Sequence, residues 1–338
     1  MENEIKSNEL ENNKTPEEVK EEAPQVEEEA TPEPEEVEPI SYSSNYLENI
    51  ESARDKFLKV YRVQNTLKWI VSAVCLAAVV FGAIVVPNLI GGTNGTIAMV
   101  SILVGALAGT ILYTVFSKKY LQKKMHAYFD YYYDNVNNFV FEGDDVKNIK
   151  SQFPGKIEAV AFTDNNLYKD VIDVGSRGLT EFEYRGVPIA VVDAAAQVRV
   201  EKRIAPVFVG KYLFAAANYE YDAPLYIYYK GDKRALPPTN IDDVKAVQDD
   251  KKMIIRTSNP DWEKVINNDV KKILQSIEMN KQLVDLSISL QKGRIFVCMG
   301  YDDPLMVLPL QNQFDPKPTE IYKKDVQNVL KLIEEFNK

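Results

Sequence analysis

The sequence predicts an α+β protein: a two-helix transmembrane hairpin with helical juxtamembrane extensions, followed by a cytoplasmic antiparallel α+β domain. Three observations carry this expectation. No Asp, Glu, Lys or Arg occurs between Trp69 and Ser117. Apolar residues at helical spacing continue on both sides of that run. The remainder of the chain alternates short strand patterns with turn residues and closes on an amphipathic helix.

The first element is an acidic tail over residues 1–43. Residues 1–40 hold fifteen Glu, three Lys, five Pro and no aromatic, a net charge of −12. Such composition buries too little apolar surface to offset chain entropy, so the tail is expected to be disordered. It reads as a solvated spacer rather than as a charged brush folding onto basic lysines. The whole chain carries −10, so everything after residue 40 carries +2. No basic stripe is present, which argues against a nucleic-acid partner.

The hairpin occupies residues 69–116, as spans 69–90 and 96–116 around GGTNG at 91–95. Each span exceeds the roughly 20 residues a helix needs to cross a bilayer. The apolar run begins nearly seventy residues in, too deep for a cleaved leader. Five turn residues cannot recross the membrane, so both flanks lie on one side. Lys56, Lys59, Arg62 and Lys68 precede the first span, and Lys118, Lys119, Lys123 and Lys124 follow the second. Basic residues are retained inside during insertion, so both termini are expected in the cytoplasm of a multi-pass cell-membrane protein. Trp69, Tyr113, Phe116 and Tyr120 lie near that boundary, where amphipathic rings settle. The spans hold no ionisable group, as befits an anchor rather than a transport pathway.

Small residues recur at four-residue spacing: Ala78 and Gly82 in the first span, Gly105 and Gly109 in the second. They are expected to pack the spans together; a homo-oligomer through Gly105 and Gly109 is the second reading.

Juxtamembrane helices are expected over residues 44–68 and 117–139. Tyr46, Ile50, Ala53, Phe57, Val60, Gln64 and Leu67 recur in steps of three and four, as do Leu121, Met125, Tyr128, Tyr132, Asn135 and Phe139. This is the spacing of a coiled-coil seam, and it predicts a helical stalk roughly 30 Å tall. The competing arrangement lays both segments along the membrane surface.

The soluble domain spans 140–338. Strands are expected at KIEAVAF (156–162), TEFEY (180–184), VPIAVVDAAAQVRV (187–200), APVFVGKYLFAA (205–216), PLYIYYK (224–230) and KMIIRT (252–257). Arg185-Gly186 joins a hairpin, and Pro237-Pro238 marks a loop. A helix is expected from Ser258 to about Leu283. VDLSISLQ (284–291) alternates as a half-buried strand, Lys292-Gly293 turns, and RIFVCMGY (294–301) returns. Thr319 is placed to cap a last helix with Tyr322, Val326, Val329, Leu330, Ile333 and Phe336 inward. Tyr226, Tyr228 and Tyr229 fit either an interface or a pleated strand.

Catalytic chemistry is sparse. The single histidine, His126, lies outside the soluble domain, so no Ser–His or Cys–His pair forms there. Cys75 and Cys298 build no disulfide framework and supply no zinc site, which suits a reducing compartment. No phosphate-binding glycine motif occurs, and GSRG (175–178) reads as a turn. Four acidic doublets remain: Asp144/Asp145, Asp242/Asp243, Asp249/Asp250 and Asp302/Asp303. A hard cation needs several converging oxygens, so each reads first as a loop residue and second as a metal ligand.

VFVGKYLFA (207–215), YRGVPIAVVDA (184–194), SNPDWEKVI (258–266) and KKIL (271–274) resemble an uncharacterised bacterial membrane-protein family, domain-of-unknown-function family 3137. The resemblance covers roughly residues 45 to 336. It implies a paired transmembrane hairpin before an α+β cytoplasmic module, and it brings no activity, so no catalytic residue transfers.

The sequence therefore leads to a membrane-anchored cytoplasmic binding or scaffold module. Its partners are the lipid bilayer and an unnamed protein or ligand, with no cofactor, metal or catalytic residue expected. A tethered carboxylate-based metal-dependent hydrolase and a structural component of a membrane assembly are the alternatives.

Overall fold

The computed structural model describes residues 46–230, 239–240, 244–277, 279, 282–302, 310 and 312–338. The acidic tail, the Pro237-Pro238 loop, Asp242/Asp243 and Asp303 lie outside the described residues.

Two helices open the structure, α1 (Tyr46–Ile90) and α2 (Gly92–Val140), 45 and 49 residues long. At 1.5 Å per residue they extend roughly 67 and 73 Å. The expected five-residue turn contracts to Gly91, with Thr93 to Gly95 already helical. Gly91 has φ +66° and Gly92 φ +57°, left-handed values that glycine takes without strain. The contraction needs close approach as well. A Cβ on Gly95 would lie 3.4 Å from the Pro87 Cα.

The helices pair along their length. Gly82 is buried, and a Cβ there would lie 2.9 Å from Ile102 Cγ2, while Ala78 is half-buried. Gly105 and Gly109 do not join this contact, because a Cβ at either would meet nothing within 4 Å. Further along, Ser117 Oγ donates to Gln64 Oε1 at 3.1 Å. Phe57 stacks on Tyr128 at 5.4 Å, and Tyr46 on Phe139 at 4.0 Å. These pairings follow the expected seam.

The extensions do not form a free-standing stalk. Ile50, Tyr132, Val136 and Val140 belong to the same core as the sheet. The reason lies on the far side of α2, where Phe141 packs on Phe182 at 4.3 Å and Asn137 Nδ2 donates to Thr180 Oγ1 at 2.7 Å. With apolar residues facing both α1 and the sheet, α2 is held between them.

The sheet is antiparallel and nine-stranded, in the order β1-β2-β3-β4-β9-β8-β5-β7-β6. Its strands are β1 (Val146–Gln152), β2 (Val171–Tyr184), β3 (Val187–Val200), β4 (Arg203–Ala216), β5 (Leu225–Tyr229), β6 (Ala246–Asp249), β7 (Met253–Thr257), β8 (Leu283–Gln291) and β9 (Arg294–Tyr301). The pairs Tyr184↔Val187, Val200↔Arg203 and Gln291↔Arg294 close tight hairpins at Arg185-Gly186, Glu201-Lys202 and Lys292-Gly293. Arg185 and Glu201 take φ of 50° and 55°, as such turns require. Between β4 and β9 the backbones approach so closely that a Cβ on Gly210 would fall 2.0 Å from the Met299 carbonyl oxygen. That contact explains the glycine inside VFVGKYLFA.

Several elements depart from the expectations. KIEAVAF forms no strand; its second half is the short helix α3 (Ala159–Thr163). Its alternation is real, but Phe162 instead anchors the segment over the sheet, 4.9 Å from the Tyr212 ring. GSRG lies within β2, not at a turn, and Gly178 there marks a register shift between Arg177 and Thr180. The long helix after Ser258 divides into α4 (Trp262–Val265) and α5 (Asn268–Ser276). Asn267 starts α5 afresh by accepting from the Asp269 and Val270 N–H groups, both at 2.9 Å. Ser287 and Ser289 in β8 are fully buried because this part of the sheet is covered on both faces. Tyr226 and Tyr229 are buried for the same reason, β5 being an interior strand, so they form no exposed edge. The final helix, α6 (Lys317–Glu335), starts after Pro316; Thr319 lies inside it, buried, and is not its cap. β1 and β6 have no counterpart among the expected strands.

Two cores result. α2, α5 and α6 cover one face around Leu213, Ile288 and Val297. α3 and the segment through Tyr168 cover the other around Phe208, Tyr212 and Cys298.

Candidate functional site

Two features stand out, one on each face of the sheet. The first is a polar cluster at the helix–sheet junction. Asp193 on β3 and Lys211 on β4 are register partners inside otherwise apolar strands. Lys211 is only 4% exposed, and its Nζ lies 2.5 Å from Asp193 Oδ1. Arg177, opposite Asp193 on β2, brings its Nε to 3.9 Å from Oδ2. From α2, Tyr133 Oη donates to the same Oδ2 at 3.2 Å. Lys211 Nζ also stands 5.0 Å over the Tyr322 ring of α6. Tyr301 packs edge-on against Tyr322 at 6.2 Å and donates from Oη to Asp325 Oδ2 at 3.0 Å.

Electrostatics here follow burial. Desolvation pushes the Tyr133, Tyr301 and Tyr322 hydroxyls well above the usual phenol range, and the carboxylates of Asp193 and Asp325 add to it. Burial also raises the Asp325 carboxyl to about 6, partly offset by the hydrogen bond from Tyr301 and by Lys324. The tyrosines are neutral and the ionic groups face one another. The arrangement joins β2, β3, β4, α2, α6 and β9 through paired charge, which suits holding the helices on the sheet more than attacking a substrate.

The second feature is an open groove of ≈ 880 Å³ on the α3 face. Pro188, Ala190, Phe214 and Phe296 give it an apolar lining, and Lys150, Asp164, Glu181, Glu183 and Arg294 give it charge of both signs. Arg294 Nη1 reaches Asp164 Oδ2 at 3.3 Å, tying the segment after α3 to β9. A volume of this kind suits a peptide segment or a small amphipathic molecule.

The residues named from the sequence fall elsewhere. Asp145 binds Arg185 Nη2 at 2.9 Å, and Arg185 also pairs with Glu334 of α6, closing the β2–β3 turn on the last helix. Asp249 pairs with Lys230 at 2.5 Å. Asp250 accepts the Lys252 and Met253 N–H groups at 2.8 Å each, as a turn residue. Among the described residues, no group of three or more His, Cys, Asp or Glu side chains converges on a point. His126 is exposed on α2, its ring 6.4 Å from that of Phe153.

Neither Asp193–Lys211 nor the groove was anticipated. A legible signal existed for the pair: one charge placed mid-run in each of two long apolar strands, VVDAA and VGKYL. The groove left no such mark, since its lining comes from five strands, α3 and the segment after it.

No protein-family model matches the chain, and no curated protein matches it. Among solved structures, the chain is similar to the crystal structure of the mycobacterial trehalose monomycolate transport factor A, at 11% identity and a TM-score of 0.31. That match covers 56% of this chain and 88% of the other. A likeness at this level carries neither fold nor function from one protein to the other.

Proposed function

We propose that the protein is a membrane-anchored module that holds a folded binding domain rigidly against the inner face of a cell membrane. One observation carries the reading: α1 and α2 run unbroken from charge-free apolar segments into the core of the domain. Within the apolar run, large side chains such as Trp69, Leu89 and Phe116 are 68–74% exposed, which only a lipid surround makes favourable. The basic residues at both ends of that run, and their absence from the turn, favour a cytoplasmic domain. The resemblance to domain-of-unknown-function family 3137 implies the same layout.

The domain acts by binding, and the groove beside Phe214 and Phe296 is where a partner sits. A photo-crosslinking side chain at Glu183, compared with one at Lys323 outside the groove, tests this in intact membranes. Discrete adducts from position 183 alone are expected. Equal labelling from both positions, or none, contradicts the reading.

Self-association through α2 is a second reading, favoured because Gly105 and Gly109 face away from α1. Gly105→Leu with Gly109→Leu then abolishes crosslinking between chains; unchanged crosslinking removes it.

A further inference from the structure

Outside α1 and α2, five large apolar side chains are exposed among the described residues: Val160, Ile172, Val200, Ile204 and Val209. Four of these five lie at one end of β2, β3 and β4. Ile172 is 47% exposed, Val200 48%, Val209 54% and Ile204 59%.

This end of the sheet projects. β4 pairs with β9 only from Gly210 onward, and β1 pairs with β2 only from Leu179 onward. Residues 171–178, 192–200 and 203–209 thus form a three-stranded extension with no fourth strand paired to either side among the described residues. The Glu201-Lys202 turn closes it bluntly, so Arg199, Val200, Arg203 and Ile204 reach the same height.

Its direction follows from three contacts between α2 and the sheet. Tyr133 meets Asp193, Asn137 meets Thr180, and Phe141 meets Phe182. Eight helical residues advance roughly 12 Å, and the matching stretch of β2, from the level of Arg177 to Phe182, advances roughly 13–16 Å. Helix and strands therefore run together. In the opposite direction, Asp193 to Val200 covers roughly 23 Å of strand. The same distance back along α2 from Tyr133 is about fifteen residues, which ends at Lys118. Lys118 is where the charge-free run stops.

The tip is chemically matched to that level. Arg199, Lys202 and Arg203 outnumber Glu201, leaving two net positive charges beside Val200 and Ile204. On the neighbouring strand Asp173 lies lower, opposite Gln197, and the oppositely charged Lys169 and Asp170 immediately precede Val171, the partner of Val198. Apolar side chains framed by cations are what an interfacial segment presents to anionic lipid.

We infer that the β3–β4 tip is a second membrane contact, with Val200 and Ile204 entering the headgroup–acyl boundary and Arg199, Lys202 and Arg203 binding anionic lipid headgroups. The contact is on the leaflet from which α1 and α2 emerge, so the inference rests on the anchoring proposed above. It fixes the tilt of the packed helices and domain relative to the bilayer, which the two spans alone leave free.

The test uses the full chain carrying Cys75→Ala and Cys298→Ala, reconstituted into vesicles of phosphatidylcholine and phosphatidylglycerol. An environment-sensitive fluorophore is attached through Ile204→Cys, Ile111→Cys or Lys331→Cys. Quenching by spin-labelled lipid and by aqueous iodide is then compared. Lipid quenching is expected at 111 and 204, and iodide quenching at 331. The signal at 204 should fall severalfold in pure phosphatidylcholine, or when Arg199, Lys202 and Arg203 are all replaced by Gln. If 204 behaves like 331 while 111 remains lipid-quenched, the tip contact is wrong and the anchor stands. If all three respond to iodide alone, the anchor fails as well. A fluorophore at 204 shielded from both quenchers means protein covers the tip, which also overturns the inference.

Discussion

At the scale of single residues, the domain is organised by charges buried where apolar strands would otherwise continue. Lys211 and Asp193 form a close ion pair, and removing Lys211 leaves Asp193 only the more distant Arg177 and the Tyr133 hydroxyl to offset its charge. Lys211→Met should lower unfolding stability by about 3 kcal/mol, and adding Asp193→Asn should restore part of the loss. Chemical denaturation of the detergent-solubilised chain measures both. Full additivity of the two substitutions would show that the pair is not coupled. Asp325 behaves differently, because burial raises its carboxyl from 3.8 to about 6. The folded chain then holds that proton more tightly than the unfolded chain. Its contribution is complete below about pH 4 and is lost as pH rises through 6, a change of up to roughly 3 kcal/mol. Asp325→Asn should flatten this dependence and raise the midpoint at pH 7. An unchanged pH profile would refute the assignment. Neither charged site was fully legible beforehand. A lone Lys or Asp in an apolar run signals a buried partner, but naming the partner requires the register between β3 and β4.

At the scale of elements, local chemistry decided the hairpins and long-range packing decided the rest. Arg185-Gly186 and Lys292-Gly293 mark their turns with residues that tolerate positive φ, so β2–β3 and β8–β9 were readable. The 3–4 spacing of Phe57 and Tyr128 also led to the observed helix pairing. KIEAVAF misled because alternation over so few residues does not reveal that Phe162 is buried while Ile157 only packs against the core's edge. VDLSISLQ reads as half-exposed, yet Ser287 and Ser289 are buried by layers that come from distant parts of the chain. The glycines of the hairpin separate in the same way, identical in type and opposite in placement. Gly82→Leu drives a side chain into Ile102 and should destabilise the helix pair by about 1–3 kcal/mol. Gly105→Leu meets open space and should leave the monomer's thermal midpoint unchanged. Equal effects of the two substitutions would mean that the helices pair through another face.

At the scale of the molecule, the paired helices and the sheet domain are one packed body rather than a domain on a tether. Tyr46, Ile50 and Tyr132 join the helices to the sheet core, and the Asp193 cluster adds polar contacts from α2 and α6. Under the proposed anchoring, a domain held this way keeps its groove at a constant height above the lipid, which suits the proposed capture of a partner arriving along the membrane. Everything in this account depends on the apolar hairpin crossing the bilayer with its turn outside. Substituted-cysteine labelling in intact cells tests that most directly, using Asn94→Cys at the turn and Lys331→Cys on α6 in the chain lacking Cys75 and Cys298. A membrane-impermeant maleimide should label position 94 in intact cells and position 331 only after permeabilisation. Labelling of position 331 in intact cells, or of neither position until the membrane is opened, would contradict it.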